Sequence, residues 1–331
     1  MKVKEVGEFP FIDLIAKDTI YNTSSVRQAI GDDGAVYIAK PDMDQVVTVD
    51  TMVEGVHFNL NWMDAKDVGF RLMTANISDI AAMGANPMQA VISVASPGTL
   101  EVNVLEEVYE GMKACAKRYG VNIIGGDTVS TTGPLVLTVT VIGEVPSCSA
   151  VLRSGAKVGD LIGVTGTLGL SAVGVQALMQ GATGYEGAKE VFLRPLPKVE
   201  LGAILREEGA TSLNDISDGL ASEANEIAKA SSCLLCIEEE AIPLHEETIS
   251  WGVQQHTSAV QYALTGGEDF ELLFTISEEG KMRLESRLAS EGLEGSITWI
   301  GRVEAGEGNV CLCRKGEKVM LPPKGYQHFH Q

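Results

Sequence analysis

Hydrophobic and polar positions alternate in patterns that change repeatedly between strand and helix along the chain. In the first half, runs rich in Val, Ile and Thr predict strands at Ala35–Ala39, Val46–Val53, Ala90–Ala95, Val121–Ile124 and Leu135–Val145. Between them, Asp64 can cap one helix. Apolar residues spaced by three and four predict a second helix that ends at Gly120; they are Leu105, Val108, Met112, Cys115 and Tyr119.

The periodicity lapses from Pro146 to Gly159, where small residues dominate. The second half then predicts strands at Leu161–Thr165, Leu234–Ile237, Phe270–Ile276, Ile297–Val303 and Val310–Val319. It also predicts helices at Gly169–Met179, Lys198–Glu208, Leu220–Ala230 and Glu278–Glu291. We therefore expect two mixed α/β domains, at residues 1–147 and 148–331, which suits a chain of 331 residues.

The charge balance excludes whole classes of partner. The formal net charge is −20 at pH 7, and a phosphate backbone or an anionic membrane surface requires a basic face instead. No stretch of 18 apolar residues occurs, and the first residues lack the apolar core of a signal peptide. Six cysteines in a chain of this length do not indicate a disulfide scaffold. We expect a cytoplasmic protein that binds neither nucleic acid nor membrane.

Aspartates recur beside Gly, Ser or Thr in five short segments. These are Gly31–Gly34, Thr48–Thr51, Asn76–Asp79, Gly125–Thr128 and Asp215–Gly219. Taken singly, an Asp-Gly pair is ordinary turn chemistry. Asp79, however, shares the apolar face of its predicted helix with Leu72 and Met83, and an inward carboxylate is costly unless it is paired or holds a metal. Oxygen ligands without His or Cys favour Mg²⁺, whose shell substrate phosphates usually complete.

The expected phosphate-binding motif GxxxxGK[ST] is absent. The nearest approach is Thr165–Gly169, which leads from a strand into a helix. Its backbone N–H groups could cradle a phosphate, and close packing of strand against helix is the alternative interpretation.

Ordered motifs along nearly the whole chain resemble the thiamine-monophosphate kinase family, within the superfamily of aminoimidazole ribonucleotide synthetase and selenophosphate synthetase. The motifs are GEF at 7–9, GDDGAV at 31–36, VDTMVEGVHF at 49–58, NISDIAAMGANP at 76–87, GGDT at 125–128, RSGAKVGD at 153–160, TGTLGLSAVG at 165–174, LRP at 193–195, DISDGL at 215–220, GGEDFEL at 266–272 and KGYQHF at 324–329. The fold that the resemblance implies is α/β (α+β), with two aminoimidazole ribonucleotide synthetase-like domains and the N-terminal one pairing across a homodimer.

The resemblance also implies an activity and its residues. It implies ATP-dependent phosphorylation of thiamine monophosphate to thiamine diphosphate by direct transfer. Several Mg²⁺ ions would be held by Asp33, Thr48, Asp50, Asp79, Asp127, Asp215 and Asp218. Among these, Asp33, Asp79, Asp127 and Asp215 are expected to carry catalysis. ATP contacts are expected at Tyr109, Gly126, Asp127, Arg153 and Ser217, and thiamine-phosphate contacts at His57, Glu268 and Tyr326.

The sequence departs from the family pattern at two positions, and two alternative functions are compatible with it. Val49 stands where many members have a hydroxylated residue, and Tyr326 stands where some have Trp. One alternative function is that of another ATP-using enzyme of the superfamily. The other is a non-enzymatic, cation-stabilised acidic protein. Each site residue also has an ordinary structural interpretation, such as a packing role for His57 or Tyr109.

Overall fold

A computed structural model describes residues 1–325, which divide into two compact units. One unit combines Met1–Ile80 with Ala85–Cys148, and the other combines Ala81–Gly84 with the residues from Ser149 onward. The mixed α/β architecture predicted from the sequence is confirmed. Pairing across a dimer stays a prediction, as do the domain bounds at residues 1–147 and 148–331. Within residues 1–325, every helix is too short or too polar to cross a membrane.

The N-terminal unit is built around one four-stranded sheet. Its elements are α1 (Val3–Val6), α2 (Glu8–Ile15), a 3-10 turn (Thr23–Ser25), β1 (Val26–Gln28), β2 (Val36–Tyr37), β3 (Met43–Val53), α3 (Ala65–Ala82), β4 (Asn86–Pro97), α4 (Val102–Tyr119), β5 (Asn122–Thr131) and β6 (Val136–Pro146). The sheet has the order β3-β6-β4-β5, and β1 pairs separately with β2. Only β4 and β5 run parallel in the four-stranded sheet, because α4 connects them as a crossover.

The two faces of this sheet differ in burial, as strand alternation requires. Leu137, Val139 and Val141 of β6 point to the buried face. On the opposite face, Val49 of β3 and Val129 of β5 are 61% and 47% exposed. The sheet therefore presents one side to the core and one side to its surroundings.

Helices α3 and α4 touch through their backbones. A Cβ atom on Gly69 of α3 would lie 1.9 Å from the carbonyl oxygen of Val108, and one on Gly111 of α4 would lie 1.8 Å from that of Lys66. Each glycine therefore accommodates the other helix, and no larger residue fits without separating the pair. Gly120 ends α4 in the left-handed conformation (φ 70°), which confirms the predicted helix end.

The C-terminal unit contains a seven-stranded sheet. Its elements are β7 (Leu161–Thr165), α5 (Leu170–Gln180), α6 (Glu186–Leu193), α7 (Val199–Glu208), β8 (Ser212–Asp215), α8 (Leu220–Ser231), β9 (Leu234–Glu238), a 3-10 turn (Glu239–Ala241), α9 (Glu246–Gln254), α10 (Ala259–Thr265), β10 (Leu272–Ile276), α11 (Glu278–Glu291), β11 (Ile297–Glu304), β12 (Asn309–Arg314) and β13 (Glu317–Met320). The order is β13-β12-β9-β11-β7-β10-β8, and β12 with β9 is its parallel pair. A core of Leu, Ile and Val from β7, β9, β10 and α8 lies beside it.

Several strand predictions were wrong in extent; Ala90–Ala95, for example, is only the middle of β4. Three further differences bear on the chain path or on a motif. The strand predicted at Val310–Val319 is a hairpin of β12 and β13, because Lys315 and Gly316 both have positive φ angles and reverse the chain. Phe270 has φ 51°, so β10 begins only at Leu272. The strand predicted at Val121–Ile124 continues as β5 to Thr131, which places the GGDT motif inside a strand.

Candidate active site

A cavity of about 810 Å³ lies on the exposed face of the N-terminal sheet. Three of the predicted site residues line it: Asp33, Gly126 and Asp127. Asp33 belongs to the loop before β2, and Asp127 projects from β5 opposite Ser93 of β4. The other lining residues include apolar side chains of α2 and β4 and two further carboxylates, Asp13 and Asp32. The cavity therefore combines an apolar wall with acidic groups.

Thr48 and Asp50 lie on the other face of the same sheet. Thr48 Oγ1 donates to Asn76 Oδ1 of α3 at 3.1 Å, and Asp79 follows Asn76 by three residues on that helix, half-buried. Val49 projects to the exposed face, so a side-chain oxygen at this position would point away from Thr48 and Asp50. The predicted metal ligands of this unit thus form two groups, separated by the sheet.

His57 and Tyr109 both make structural contacts. His57 Nδ1 accepts from the Val53 N–H at 3.0 Å, which closes the turn after β3 and places the ring proton on Nε2. The Tyr109 ring is 5% exposed and packs edge-on against Phe11 with ring centroids 6.0 Å apart. Burial raises the pKa of Tyr109 far above its ordinary value. The predicted substrate and ATP contacts of these two residues stay predictions.

In the C-terminal unit, the DISDGL and GGEDFEL motifs interlock through their backbones. The Glu268 N–H donates to the Ser217 carbonyl at 2.6 Å, and the Phe270 N–H donates to that of Ile216 at 3.0 Å. In return, the Ile216 N–H donates to the Glu271 carbonyl at 2.7 Å. The predicted nucleotide residue Ser217 is thereby held directly beside the predicted substrate residue Glu268.

This junction holds non-glycine residues in left-handed conformations. Glu268 has φ 65° and Phe270 has φ 51°, although neither side chain favours this region. A Cβ atom on Gly267 would lie 2.6 Å from the Ser217 carbonyl oxygen, so the approach requires glycine there. Such strain persists where surrounding contacts over-determine it, and it is concentrated at functional sites.

One carboxylate that the sequence did not single out lies at the centre of this region. Glu223 of α8 is 3% exposed and accepts from the side chain of Asn214 and from the Asp218 N–H at 3.2 Å. Asn214 Oδ1 in turn accepts from Arg153 Nε at 3.0 Å.

Glu223 lies three residues after Leu220 and four before Ile227, on the apolar face of α8. The helical spacing that singled out Asp79 could therefore have identified it.

The charges of this region are suited to a divalent cation. Burial and the carboxylates of Asp215 and Asp218 raise the pKa of Glu223 to about 7, against opposing effects of the Asp218 N–H and Arg153. Carboxylate oxygens are the ligands that Mg²⁺ prefers. Within residues 1–325, no three His, Cys, Asp or Glu side chains converge closely enough to form a metal site alone. Phosphate or water oxygens would therefore complete any shell around Asp33 and Asp127, or around Asp215 and Asp218.

Two acidic side chains of the same unit lie against the Thr165–Gly169 segment. The Asp269 carboxylate accepts from the Gly169 N–H at 2.6 Å and from the Ser171 N–H at 3.2 Å, at the start of α5. A Cβ atom on Gly166 would lie 2.2 Å from Glu271 Oε1. These contacts favour the packing interpretation over a phosphate cradle, because Asp269 already takes the position that an anion would occupy.

Asp269 should make the stability of the fold depend on pH. Burial, with the nearby charges of Glu271 and Glu268, raises the pKa of Asp269 to about 8 from an ordinary 3.8, despite its two N–H donors. Between these values the folded chain keeps a proton that the unfolded chain has released, so this group destabilises the fold as pH rises. Relative to Asp269→Asn, the wild-type Tm should fall by roughly 5–15 °C from about pH 5 to about pH 8, because linkage removes about 1.4 kcal/mol per pH unit in this range.

Thermal unfolding of both proteins across this pH range measures that difference. The ion pair of Lys198 with Glu271, at 3.1 Å, is present in both proteins, so its effect cancels in the difference between the two Tm values. A wild-type Tm that instead rises relative to the variant would contradict the prediction, since it would mean that the start of α5 stabilises the carboxylate.

The last described residue lies against the DISDGL loop. A Cβ atom on Gly325 would lie 2.3 Å from the Asp218 carbonyl oxygen, and Asn225 Nδ2 of α8 donates to the Leu321 carbonyl at 3.0 Å. The chain therefore approaches Asp218 as it nears its end. Tyr326, a predicted substrate contact, lies outside the described residues.

Comparisons with known proteins agree on one family. Residues 31–145 match the family model "AIR synthase related protein, N-terminal domain", and residues 157–313 match its C-terminal counterpart. The thiamine-monophosphate kinase of Bacillus subtilis (strain 168) is 42% identical over 331 residues, which cover 98% of this chain and 100% of that protein.

Two solved structures resemble this one over nearly the full length. The thiamine-monophosphate kinase of Stenotrophomonas maltophilia K279a has a TM-score of 0.83 at 34% identity, covering 95% of this chain and 98% of that one. A structure described as "AaThiL complexed with AMPPCP and TMP" has a TM-score of 0.78 at 32% identity and covers 99% of both chains. The chain therefore belongs to the thiamine-monophosphate kinase family, within the AIR synthase related proteins.

Proposed function

We propose that this protein phosphorylates thiamine monophosphate to thiamine diphosphate with ATP. Membership of the family supports the proposal, and so does a related structure described as a complex with AMPPCP and TMP. The observation that carries it is the interlocked junction in which Ser217 lies beside Glu268. If Ser217 binds the nucleotide and Glu268 the substrate, this hydrogen bond would hold the two bound molecules close together, as a transfer between them requires.

The proposed reaction depends on the positioning of the two substrates and does not require a general base. The attacking oxygen belongs to the phosphate of the substrate, which is already ionised near neutral pH, so direct in-line transfer without a phospho-enzyme suffices. Arg153 and Ser217 would bind the nucleotide, and Glu268 and His57 would orient thiamine monophosphate. Magnesium bound by the aspartates would neutralise charge on the transferred phosphoryl group.

We further propose that the protein acts as a cytoplasmic homodimer. The exposed face of the N-terminal sheet carries Val47, Val49 and Val129, which are 62%, 61% and 47% exposed. A second copy of the chain would bury these side chains, whose exposure in water is unfavourable. The acidic surface, at a net charge of −20, agrees with small-molecule substrates rather than nucleic acid.

Incubation of the full chain with ATP, Mg²⁺ and thiamine monophosphate should yield thiamine diphosphate and ADP. With ATP that is chiral at the γ-phosphorus, we expect inversion of configuration, because a single in-line transfer inverts and a phospho-enzyme route retains. An absence of thiamine diphosphate, with ATP consumed in the presence of another acceptor, would instead identify a different enzyme of the superfamily. Thermal stabilisation by Ca²⁺, with none by Mg²⁺ and AMPPCP, would indicate a non-enzymatic cation-binding protein.

A further inference from the structure

Glu223 receives hydrogen bonds from three donors of the β8–α8 junction. Its Oε1 accepts from Ser217 Oγ at 3.4 Å and from the Asp218 N–H at 3.2 Å, and its Oε2 accepts from Asn214 Nδ2. With 3% exposure, the carboxylate has little water to replace any of these partners. Both oxygens of Glu223 are therefore committed to the loop that carries Ser217 and Asp218.

Asn214 extends this arrangement to a third predicted ligand-binding residue. Its Nδ2 donates to Glu223, while its Oδ1 accepts from Arg153 Nε at 3.0 Å. The amide orientation is thus determined from both sides, because a guanidinium can only donate and a carboxylate can only accept. Arg153 is 53% exposed in its side chain, so this single buried partner restrains an otherwise solvated group.

We propose that Glu223 is a positioning residue, which holds Ser217 and Asp218 directly and Arg153 through Asn214 in the arrangement that binds magnesium and nucleotide. The inference rests on the proposed function, which assigns those three residues to the nucleotide and its metal. In this proposal Glu223 acts only through these residues. Its contribution is the alignment of donors and ligands before binding, which lowers the cost of ordering them afterwards.

Exchanging the carboxylate at position 223 with the amide at position 214 tests the hydrogen-bond arrangement. Glu223→Gln places an amide NH₂ group against the NH₂ of Asn214 or against the loop donors. Asn214→Asp places a second carboxylate against Glu223. Each single variant should weaken binding of AMPPCP in the presence of Mg²⁺ by about 10-fold or more, because a buried donor or acceptor loses its partner.

In the double variant Glu223→Gln/Asn214→Asp, every hydrogen-bond donor again faces an acceptor. The new amide at 223 donates to the new carboxylate at 214, which still accepts from Arg153, and the amide oxygen faces Ser217 and Asp218. Its affinity should return to within about 3-fold of wild type, a non-additivity expected of groups in direct contact. Glu226→Gln is the matched control, since it removes an exposed charge on α8 that lies 4.0 Å from Arg153. Its affinity should stay within about 2-fold of wild type.

Titration calorimetry with AMPPCP and Mg²⁺, below the Tm of every variant, measures these affinities without any requirement for turnover. The inference fails if Glu223→Gln binds as wild type does, if the double variant is as weak as the singles, or if Glu226→Gln is equally impaired. If the variants show the expected affinities for AMPPCP but the wild-type protein leaves thiamine monophosphate unchanged, the proposed function is refuted and the positioning role is retained. A wild-type chain that binds no nucleotide with Mg²⁺ would refute both.

Discussion

Asp215→Asn should lower kcat for thiamine diphosphate formation by about 10³-fold or more while leaving the fold intact. Asp215 ends β8, is 3% exposed, and is one of the two carboxylates that raise the pKa of Glu223. Loss of a metal ligand removes several kcal/mol of charge stabilisation in phosphoryl transfer, which corresponds to this factor in rate. The isosteric amide also removes a like charge beside Glu223, so the Tm without ligand should stay equal or rise.

Two measurements separate loss of ligation from loss of structure. The Tm of Asp215→Asn should not respond to Mg²⁺ with AMPPCP, whereas that of the wild type should rise. Asp160→Asn is the matched control, because Asp160 is also a buried carboxylate of this unit, bonded to Thr211 Oγ1 at 2.6 Å. This control should lose stability and keep its kcat within a few-fold. Near-normal turnover by Asp215→Asn would contradict the assignment of Asp215 to a metal.

The elements predicted most accurately are those with a strong local signal at both ends. The strand at Leu161–Thr165 and the helix at Glu278–Glu291 have the predicted bounds, and Ser277 caps the helix by accepting from the Gly280 N–H at 3.1 Å. The short helices α6, α9 and α10 were not predicted. Their sequences are brief, and they are stabilised by tertiary contacts such as Tyr185 against Trp251.

The site could be predicted as a set of motifs, whereas its internal connections could not. The alternation of β3 shows that Val49 and Asp50 face opposite ways, yet their surroundings depend on helices distant in sequence. Asp269 follows two glycines, a pattern typical of a turn, but its carboxylate caps α5, which begins about a hundred residues earlier. The role of Glu223 likewise depends on Asn214, a neighbour that only the folded chain supplies.

Gly111→Ala should destabilise the N-terminal unit by about 3 kcal/mol or more. In an ordinary helix interior the same change stabilises by about 0.5–1 kcal/mol, because alanine loses less backbone entropy. Here the added Cβ would lie 1.8 Å from the Lys66 carbonyl oxygen, which belongs to a helix backbone and cannot rotate away. The helices must separate, and the voids opened along their contact add to the cost.

The reciprocal glycine makes this prediction specific to the helix contact. Gly69→Ala should destabilise by a similar amount, and the double variant by clearly less than the sum, because one separation of α3 from α4 accommodates both methyl groups. Gly133→Ala is the control: its nearest atom would be 3.5 Å away, so we expect less than about 0.5 kcal/mol. Hydrogen exchange should show lost protection in α3 and α4 with α11 unchanged. Additive effects of the two alanines would instead mean that each site relaxes locally, and a stabilised Gly111→Ala would exclude the backbone contact altogether.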